Sequence, residues 1–440
     1  MKLYSLNPLN FSKSRSNLRA TAIAKQPSRS NLRYLLCLLL LAPCAFAQLP
    51  QPVQVDHVSL DKPALAATPP MGWNSWNKFG CDINEDLIRT VADAMVSSGL
   101  RDAGYIYLNL DDCWHGERDN LGFIHEDTTR FPSGIKALAD YVHSKGLKIG
   151  IYSDAGSETC GGRPGSQGHE YQDAITYASW GIDYLKYDWC NTDSRDAKEA
   201  YSLMAKALRQ SGRDILFSLC EWGDNKAYEW AEPIGHCWRT TGDITCCFDC
   251  TLDHGGWQSL GIMTIVDSNE KLRKYAGPNH WNDPDMLEVG NGMSHSEDRA
   301  QFTLWCMMAA PLIVGNDIRS MSKETAAILL NKELIAVDQD SLGIQGLRHR
   351  TEAGLEYWLK PLANGDWAFC VLNRSLEERT INLDFRSFQM YDNLSRRSLE
   401  TSWHTYQVRN MWTHQDEQDT THPRQVTIPS HDVIAYRLIW

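Results

Sequence analysis

In this 440-residue chain, seven short apolar or β-branched runs end in acids: Asp111-Asp112, Asp154, Asp188, Glu221 beside Trp222, Asp243, Asp285 and Asp317. Carboxylates that converge on one pocket can hold a metal, or can divide nucleophilic and acid–base work between a pair. Transition metals favour imidazole, yet only His236 and His280 fall in these runs, both near the starts. Trp114, Trp189, Trp222 and Lys186 crowd the same loops. An oxygen-only Ca²⁺ or Mg²⁺ cage stays chemically open, but no metal and no cofactor is expected. The pair reading needs one ionised nucleophile and one acid of raised pKa across a glycosidic bond. Asp188 in YLKYD suits the nucleophile, because Lys186 shares its strand face and an ammonium nearby favours a carboxylate. Asp243 in RTTGDI suits the acid/base. A lone Asp at such a place is more often a helix cap or loop acceptor, but so many in one register argue for a shared pocket.

Eight elements are needed to present these groups. The runs 72–76, 105–112, 147–154, 182–188, 215–221, 236–243, 280–286 and 311–317 read as strands. Amphipathic stretches separate several of them: 85–98 repeats Leu87, Ile88, Val91, Met95 and Val96 near helical spacing, and 135–144 repeats Leu138, Tyr141 and Val142. Strands alternating with helices over 68–344 predict an α/β fold, a (β/α)8 TIM barrel whose strand C-termini form the catalytic face. A doubly wound open sheet is the alternative, though no Gly-rich phosphate turn follows the first strand. After Gly346 the pattern becomes alternation without helical period, at 355–360, 366–373, 380–385 and 431–440, with an Asn364-Gly365 turn. Residues 345–440 therefore predict an antiparallel β-sandwich.

Residues 1–47 carry seven basic residues and no acid, then an apolar run at 35–46 and Ala-Phe-Ala at 45–47. This describes a secretory signal peptide too short to span a membrane, followed by a Pro- and Gln-bearing linker over 48–67. An exported protein, periplasmic or extracellular, is expected. The whole chain carries 43 basic and 55 acidic residues. Removing the seven leaves 36 against 55, a charge of −19 in place of −12. Such a surface argues against nucleic acid or anionic lipid as partners. The 16 Trp, 17 Tyr and 11 Phe suit a packed core or a sugar-stacking cleft.

Seven segments carry a family resemblance: MGWNSWNKFGCDINE (71–85), LNLDDCW (108–114), GIYSDAG (150–156), YLKYDWCN (184–191), SLCEWG (218–223), WRTTGDI (238–244) and WNDPDML (281–287). Together with the PSHDVIAYRL ending, the chain resembles glycoside hydrolase family 27, the α-galactosidases or melibiases. The resemblance implies retaining, exo-acting hydrolysis of terminal α-D-galactosides, with Asp188 as nucleophile and Asp243 as acid/base. It implies that Asp111 and Asp112 grip O4 and O6, that Trp73 is the aromatic wall, that Lys186 donates to O3 and O4, and that Arg239 and Asp285 lie around O2. Glu221 and Trp222 would fill the space that an acetamido group needs and bond a free 2-hydroxyl. A β-L-arabinopyranoside, the same ring without C6, is a plausible side substrate. A non-catalytic galactose-binding protein would need neither Asp188 nor Asp243. The resemblance also implies two disulfides, Cys81 with Cys113 and Cys160 with Cys190. The cluster Cys246, Cys247 and Cys250 has no counterpart in these motifs; a local disulfide or plain thiols are expected ahead of a zinc site. Cys220 with Cys237 is a weaker candidate pair.

Overall fold

The computed structural model describes residues 61–440; the expected leader and residues 48–60 of the expected linker lie outside the described residues. Each of the eight runs carries one strand: β1 (Met71–Asn74), β2 (Tyr107–Asn109), β3 (Lys148–Asp154), β4 (Tyr184–Asp188), β5 (Leu216–Leu219), β6 (Cys237–Arg239), β7 (Trp281–Asp283) and β8 (Leu312–Val314). They form one parallel sheet in the order β7-β6-β5-β4-β3-β2-β1-β8. The ends of that sheet meet just past β7, where Leu287 N–H donates to the Ile313 carbonyl at 2.8 Å and Gly315 N–H to the Leu287 carbonyl at 3.0 Å. The architecture is a (β/α)8 barrel.

Helices cover the outside because their apolar stripes have nowhere else to go. In α1 (Glu85–Ser97) Leu87, Ile88, Val91, Ala92 and Met95 are buried, and the Asn84 side chain caps the first turn by accepting from Leu87 N–H at 2.9 Å. α2 (Ile135–Ser144) buries Ile135, Leu138, Ala139 and Val142. After β4, α3 (Ala197–Gln210) starts at Asp196, whose carboxylate accepts from Glu199 N–H at 2.9 Å.

The barrel interior is layered, as alternation along registered strands requires. Tyr107, Tyr184, Leu216, Cys237 and Trp281 form the bottom layer, packed in one buried cluster with Ala66 and Ala309. Asn74, Asn109, Lys186, Ser218, Arg239 and Asp283, two residues further along their strands, line a polar middle layer. Gly150 belongs between these layers: a Cβ there would lie 1.9 Å from Asn109 Oδ1. The end of the expected linker lies across the bottom. Trp281 Nε1 donates to the Ala66 carbonyl at 2.8 Å, and Lys62 Nζ donates to the carbonyls of Gly235 and Asn279 at 3.1 and 2.8 Å.

The C-terminal region is antiparallel, centred on a six-stranded sheet that includes Leu355–Pro361, Trp367–Asn373 and Val433–Ile439. Alternation assigns its two faces. Trp358, Ala368, Cys370, Leu372, Val433 and Ala435 join the core of the barrel. Tyr357, Leu359, Trp367, Phe369, Val371, Tyr436 and Leu438 pack into a second core beneath the remaining hairpins. A sheet buried on both faces explains why the WAFCVL run is apolar throughout. Lys360 crosses the junction, donating to the carbonyls of Cys306 and Val337 at 3.0 and 2.6 Å.

Candidate active site

The third interior layer, at the C-terminal ends of the strands, opens to solvent. Asp111 and Asp112 follow β2, Lys186 and Asp188 close β4, Arg239 ends β6 with Asp243 four residues on, and Asp285 follows β7. All seven line one pocket with Trp222. Asp111 Oδ2 accepts from Lys186 Nζ at 2.8 Å and from Asn74 Nδ2 at 2.7 Å. Asp112 accepts from the backbone N–H groups of Cys113 and Gly161 at 2.6 and 2.7 Å. These bonds hold both carboxylates rigidly at the pocket wall and leave lone pairs for a ligand's hydroxyls. Burial nevertheless raises the Asp112 pKa.

Asp188 is buried, and its Oδ1 accepts from Trp189 N–H at 3.0 Å. Burial pushes its pKa above the ordinary carboxylate value; Lys186 pulls it back down, while Asp243 and Asp111 push it further up. Burial also disfavours the charge on Lys186, but Asp111 and Asp188 outweigh that cost and hold its pKa above that of an ordinary lysine. Asp243 stands at the mouth, with its side chain 39% exposed, 3.0 Å from Arg239. Arg239 also pairs with Asp285 at 2.7 Å. Asp285 reaches the loop that carries Asp243 directly, since its Oδ2 accepts from Ile244 N–H at 2.9 Å. It therefore positions Asp243 as well as lining the pocket. Asp285 and Trp222 both adopt positive φ, 79° and 57°, a strained backbone of the kind that gathers at functional sites.

Two expected wall residues are corrected. Trp73 is completely buried and its Nε1 donates to the Asn316 carbonyl at 2.7 Å. Registered pairing puts Gly72 and Asn74 on the interior face of β1, so Trp73 points outward between strand and helices. The helical turn Trp76–Phe79 begins two residues after the strand, and Trp76 supplies the aromatic side of the pocket. Glu221 follows the same parity rule. Ser218 and Cys220 face inward, and Glu221 turns away from the pocket, its carboxylate accepting from the backbone N–H groups of Asn225 and Ala227. Trp222 alone reaches the pocket from that loop.

Sequence reasoning passed over Trp76, Asn77, Tyr152 and Met286, which also line it, as does Cys160, expected there only as a disulfide partner. Tyr152 was detectable: it lies two residues before Asp154 on the interior parity of β3, opposite Lys186. Asp154 itself is not part of the pocket lining; it accepts from Gly156 and Cys190 N–H at 2.7 and 2.9 Å and so braces the loop after Asp188.

Disulfides join Cys81 to Cys113, Cys160 to Cys190 and Cys247 to Cys250. The first two tie down loops that carry Asp112 and follow Asp188. Cys220 and Cys237 are free. The sheet pairs Cys237 with Ser218, so Cys220 lies two residues, roughly 6.6 Å, further up the barrel, too far for a bond. Among the described residues, the grouping of possible metal ligands is Asp154, Cys160 and Cys190; both sulfurs are consumed by their disulfide and offer no thiolate.

Comparison with known proteins follows the same outline. The family model described as alpha galactosidase A matches residues 68–340, and that for the alpha galactosidase C-terminal β-sandwich matches 352–438. Alpha-galactosidase A of Cellvibrio japonicus is 55% identical over 374 residues, covering 85% of this chain and 92% of that protein. The crystal structure of alpha-galactosidase I from Mortierella vinacea superposes with a TM-score of 0.78 at 35% identity, covering 85% of this chain and 97% of the other. The Saccharomyces cerevisiae α-galactosidase solved with raffinose gives a TM-score of 0.78 at 29% identity, with 85% and 98% covered.

Proposed function

The chain belongs to glycoside hydrolase family 27 and is a retaining, exo-acting α-galactosidase, and on that premise we propose that Asp188 is its nucleophile and Asp243 its acid/base. The supporting observation is that a buried carboxylate beside Lys186 and a partly exposed one held by Arg239 line the same pocket. Asp188 attacks the anomeric carbon while Asp243 protonates the departing glycosidic oxygen, giving a β-galactosyl ester on Asp188. Asp243 then takes a proton from water, which attacks the same carbon and releases α-galactose. Exposure of Asp243 at the mouth lets it exchange protons with solvent between the steps. Lys186 keeps a usable fraction of Asp188 ionised against the cost of burial.

The hydroxyls of galactose distribute over the remaining charges. Asp111 and Asp112 accept from O4 and O6, Lys186 donates to O3 and O4, and Arg239 and Asp285 bound the region of O2. Trp76 covers the apolar face of the ring. Trp222 occupies the space that a 2-acetamido group would require, so the free 2-hydroxyl of galactose is favoured. Asp112 has little to hold in a β-L-arabinopyranoside, which lacks C6. The basic, apolar-cored N-terminus and the three disulfides support export to an oxidising compartment. Among the described residues no helix is long and apolar enough to cross a membrane.

The decisive experiment is Asp188→Ala with and without azide on a nitrophenyl α-galactoside. Turnover should fall by about four orders of magnitude or more, and azide should restore it while yielding β-galactosyl azide. Rescue with the α-azide, or residual turnover near wild type, would reject the assignment. On wild type, the α-galactoside should be cleaved far faster than the α-N-acetylgalactosaminide or the β-L-arabinopyranoside.

A further inference from the structure

The segment between Asp243 and the next barrel helix carries an exposed aromatic group that the galactose pocket does not use. Thr251–Asp253 and Gln258–Leu260 form an antiparallel hairpin. Its base is pinned from several sides. Leu260 N–H donates to the Asp243 carbonyl at 2.8 Å and Thr245 N–H to the Leu260 carbonyl at 2.9 Å. Cys247 is bonded to Cys250, and the N–H groups of Gly261 and Ile262 donate back to Cys250 and Cys247 at 2.8 and 3.0 Å. At the tip, His254 stacks on Trp257 with ring centroids 4.1 Å apart and planes 20° apart. His254 Nε2 is in turn bonded to Ser259 Oγ at 2.9 Å. One face of the indole is thus backed by a ring fixed in place, yet Trp257 remains 55% exposed.

A large aromatic side chain held rigidly in water is costly unless something covers it. Its position says what. Gln258, the next residue, is close enough to the pocket rim that a Cβ on Gly242 would lie 3.5 Å from its carbonyl oxygen. Gly242 adjoins Asp243. A general acid must stand beside the glycosidic oxygen it protonates, so the departing sugar necessarily leaves past Asp243 and the hairpin that grows from it.

Resting on the reading of Asp243 as acid/base, we propose that Trp257, backed by His254, is the binding platform for the leaving-group pyranose of the substrate. The ring stacks its C–H face on the open side of the indole. This contact favours galactosides with a second sugar attached over those with a small leaving group. The hairpin, rather than the galactose pocket, sets the preference for what is attached to galactose.

Trp257→Ala tests it with two probes, raffinose and α-galactosyl fluoride, whose fluoride leaving group offers no ring to stack. Because Trp257 is exposed, the variant should fold, and Trp257→Tyr provides a conservative rescue. For raffinose, kcat/KM should fall about tenfold, mainly through KM, as expected for one ring face losing its apolar cover. For the fluoride the change should stay within about twofold, and Trp257→Tyr should recover most of the loss. Equal losses on both probes, or no loss on raffinose, would overturn the proposal. A smaller oligomer in light scattering with raffinose turnover unchanged would also overturn it, assigning the tryptophan to contact between copies. Wild type that cleaves neither probe would instead overturn the catalytic reading on which the platform rests.

Discussion

The two ends of the barrel are built from the same strands and do opposite work. On the β2 segment, Tyr107 lies at the bottom and Asp111 at the top; on β4 they are Tyr184 and Asp188; on the β7 segment, Trp281 and Asp285. Each pair is four residues apart and faces the same interior. At the bottom the chain from 61 to 67 lies across the opening and Ala66 joins a buried aromatic cluster. Among the described residues no such cover closes the top, and there Asp111 pairs with Lys186 at 2.8 Å and Asp285 with Arg239 at 2.7 Å, while Asp112 and Asp188 accept from backbone N–H groups. The difference teaches that one end is tuned for packing energy and the other for field. Carboxylates stripped of water remain responsive to a ligand's hydroxyls, at a cost that the packed end offsets.

That contrast can be broken by substitution at each end. The largest effect on rate should come from Asp243→Ala at the top. Turnover of raffinose, a poor leaving group, should fall by about three orders of magnitude, while α-galactosyl fluoride loses about tenfold or less; equal losses would remove Asp243 from its role. Thermal unfolding should barely move. At the bottom, Trp281→Ala should destabilise by about 3–5 kcal/mol and lower Tm, with kcat of the folded fraction unchanged.

The two nearby tryptophans offer a finer version. Trp76→Ala should raise KM for an α-galactoside about tenfold with little loss of stability, whereas Trp73→Ala should lower Tm and leave KM alone; the reverse pattern would restore Trp73 as the wall. The smallest expected change is in pH dependence. Burial raises the pKa of Asp188, which must be ionised to act as the proposed nucleophile, so kcat/KM should fall on acidification at a pH above the ordinary carboxylate range. Lys186 lowers that pKa, so in Lys186→Met the acid limb should move up by about one pH unit. A limb that stays put would show that Lys186 does not act on the nucleophile.

Much of the fold was legible because barrel strands are short apolar runs that stop where the chemistry begins. All eight runs hold strands, and α1 and α2 begin where helical spacing begins. Five of the strand-end acids were legible as pocket residues, Asp111, Asp112, Asp188, Asp243 and Asp285, whereas Asp154, Glu221 and Asp317 instead accept from backbone N–H groups of neighbouring loops. Trp73 and Glu221 were not placed correctly by the same reading. Each is one residue off the interior parity of its strand, and a motif read as a string does not carry parity. Trp76 enters the pocket only because β1 ends at Asn74 and a helical turn follows. Which of Cys246, Cys247 and Cys250 would pair was equally closed to inspection, because loop closure depends on the hairpin beyond them.

The sequence by itself therefore determined the barrel, the sandwich and five carboxylates that line the pocket, because periodicity and residue type are local properties, and its seven signature segments pointed to the chemical class. The tertiary structure alone decided which tryptophan lines the pocket, that Glu221 supports its own loop, that Asp285 bridges Arg239 and the Asp243 loop, and that His254 stacks on Trp257. These depend on the direction a side chain takes at the end of a strand, which is set by register with neighbours far away in the chain.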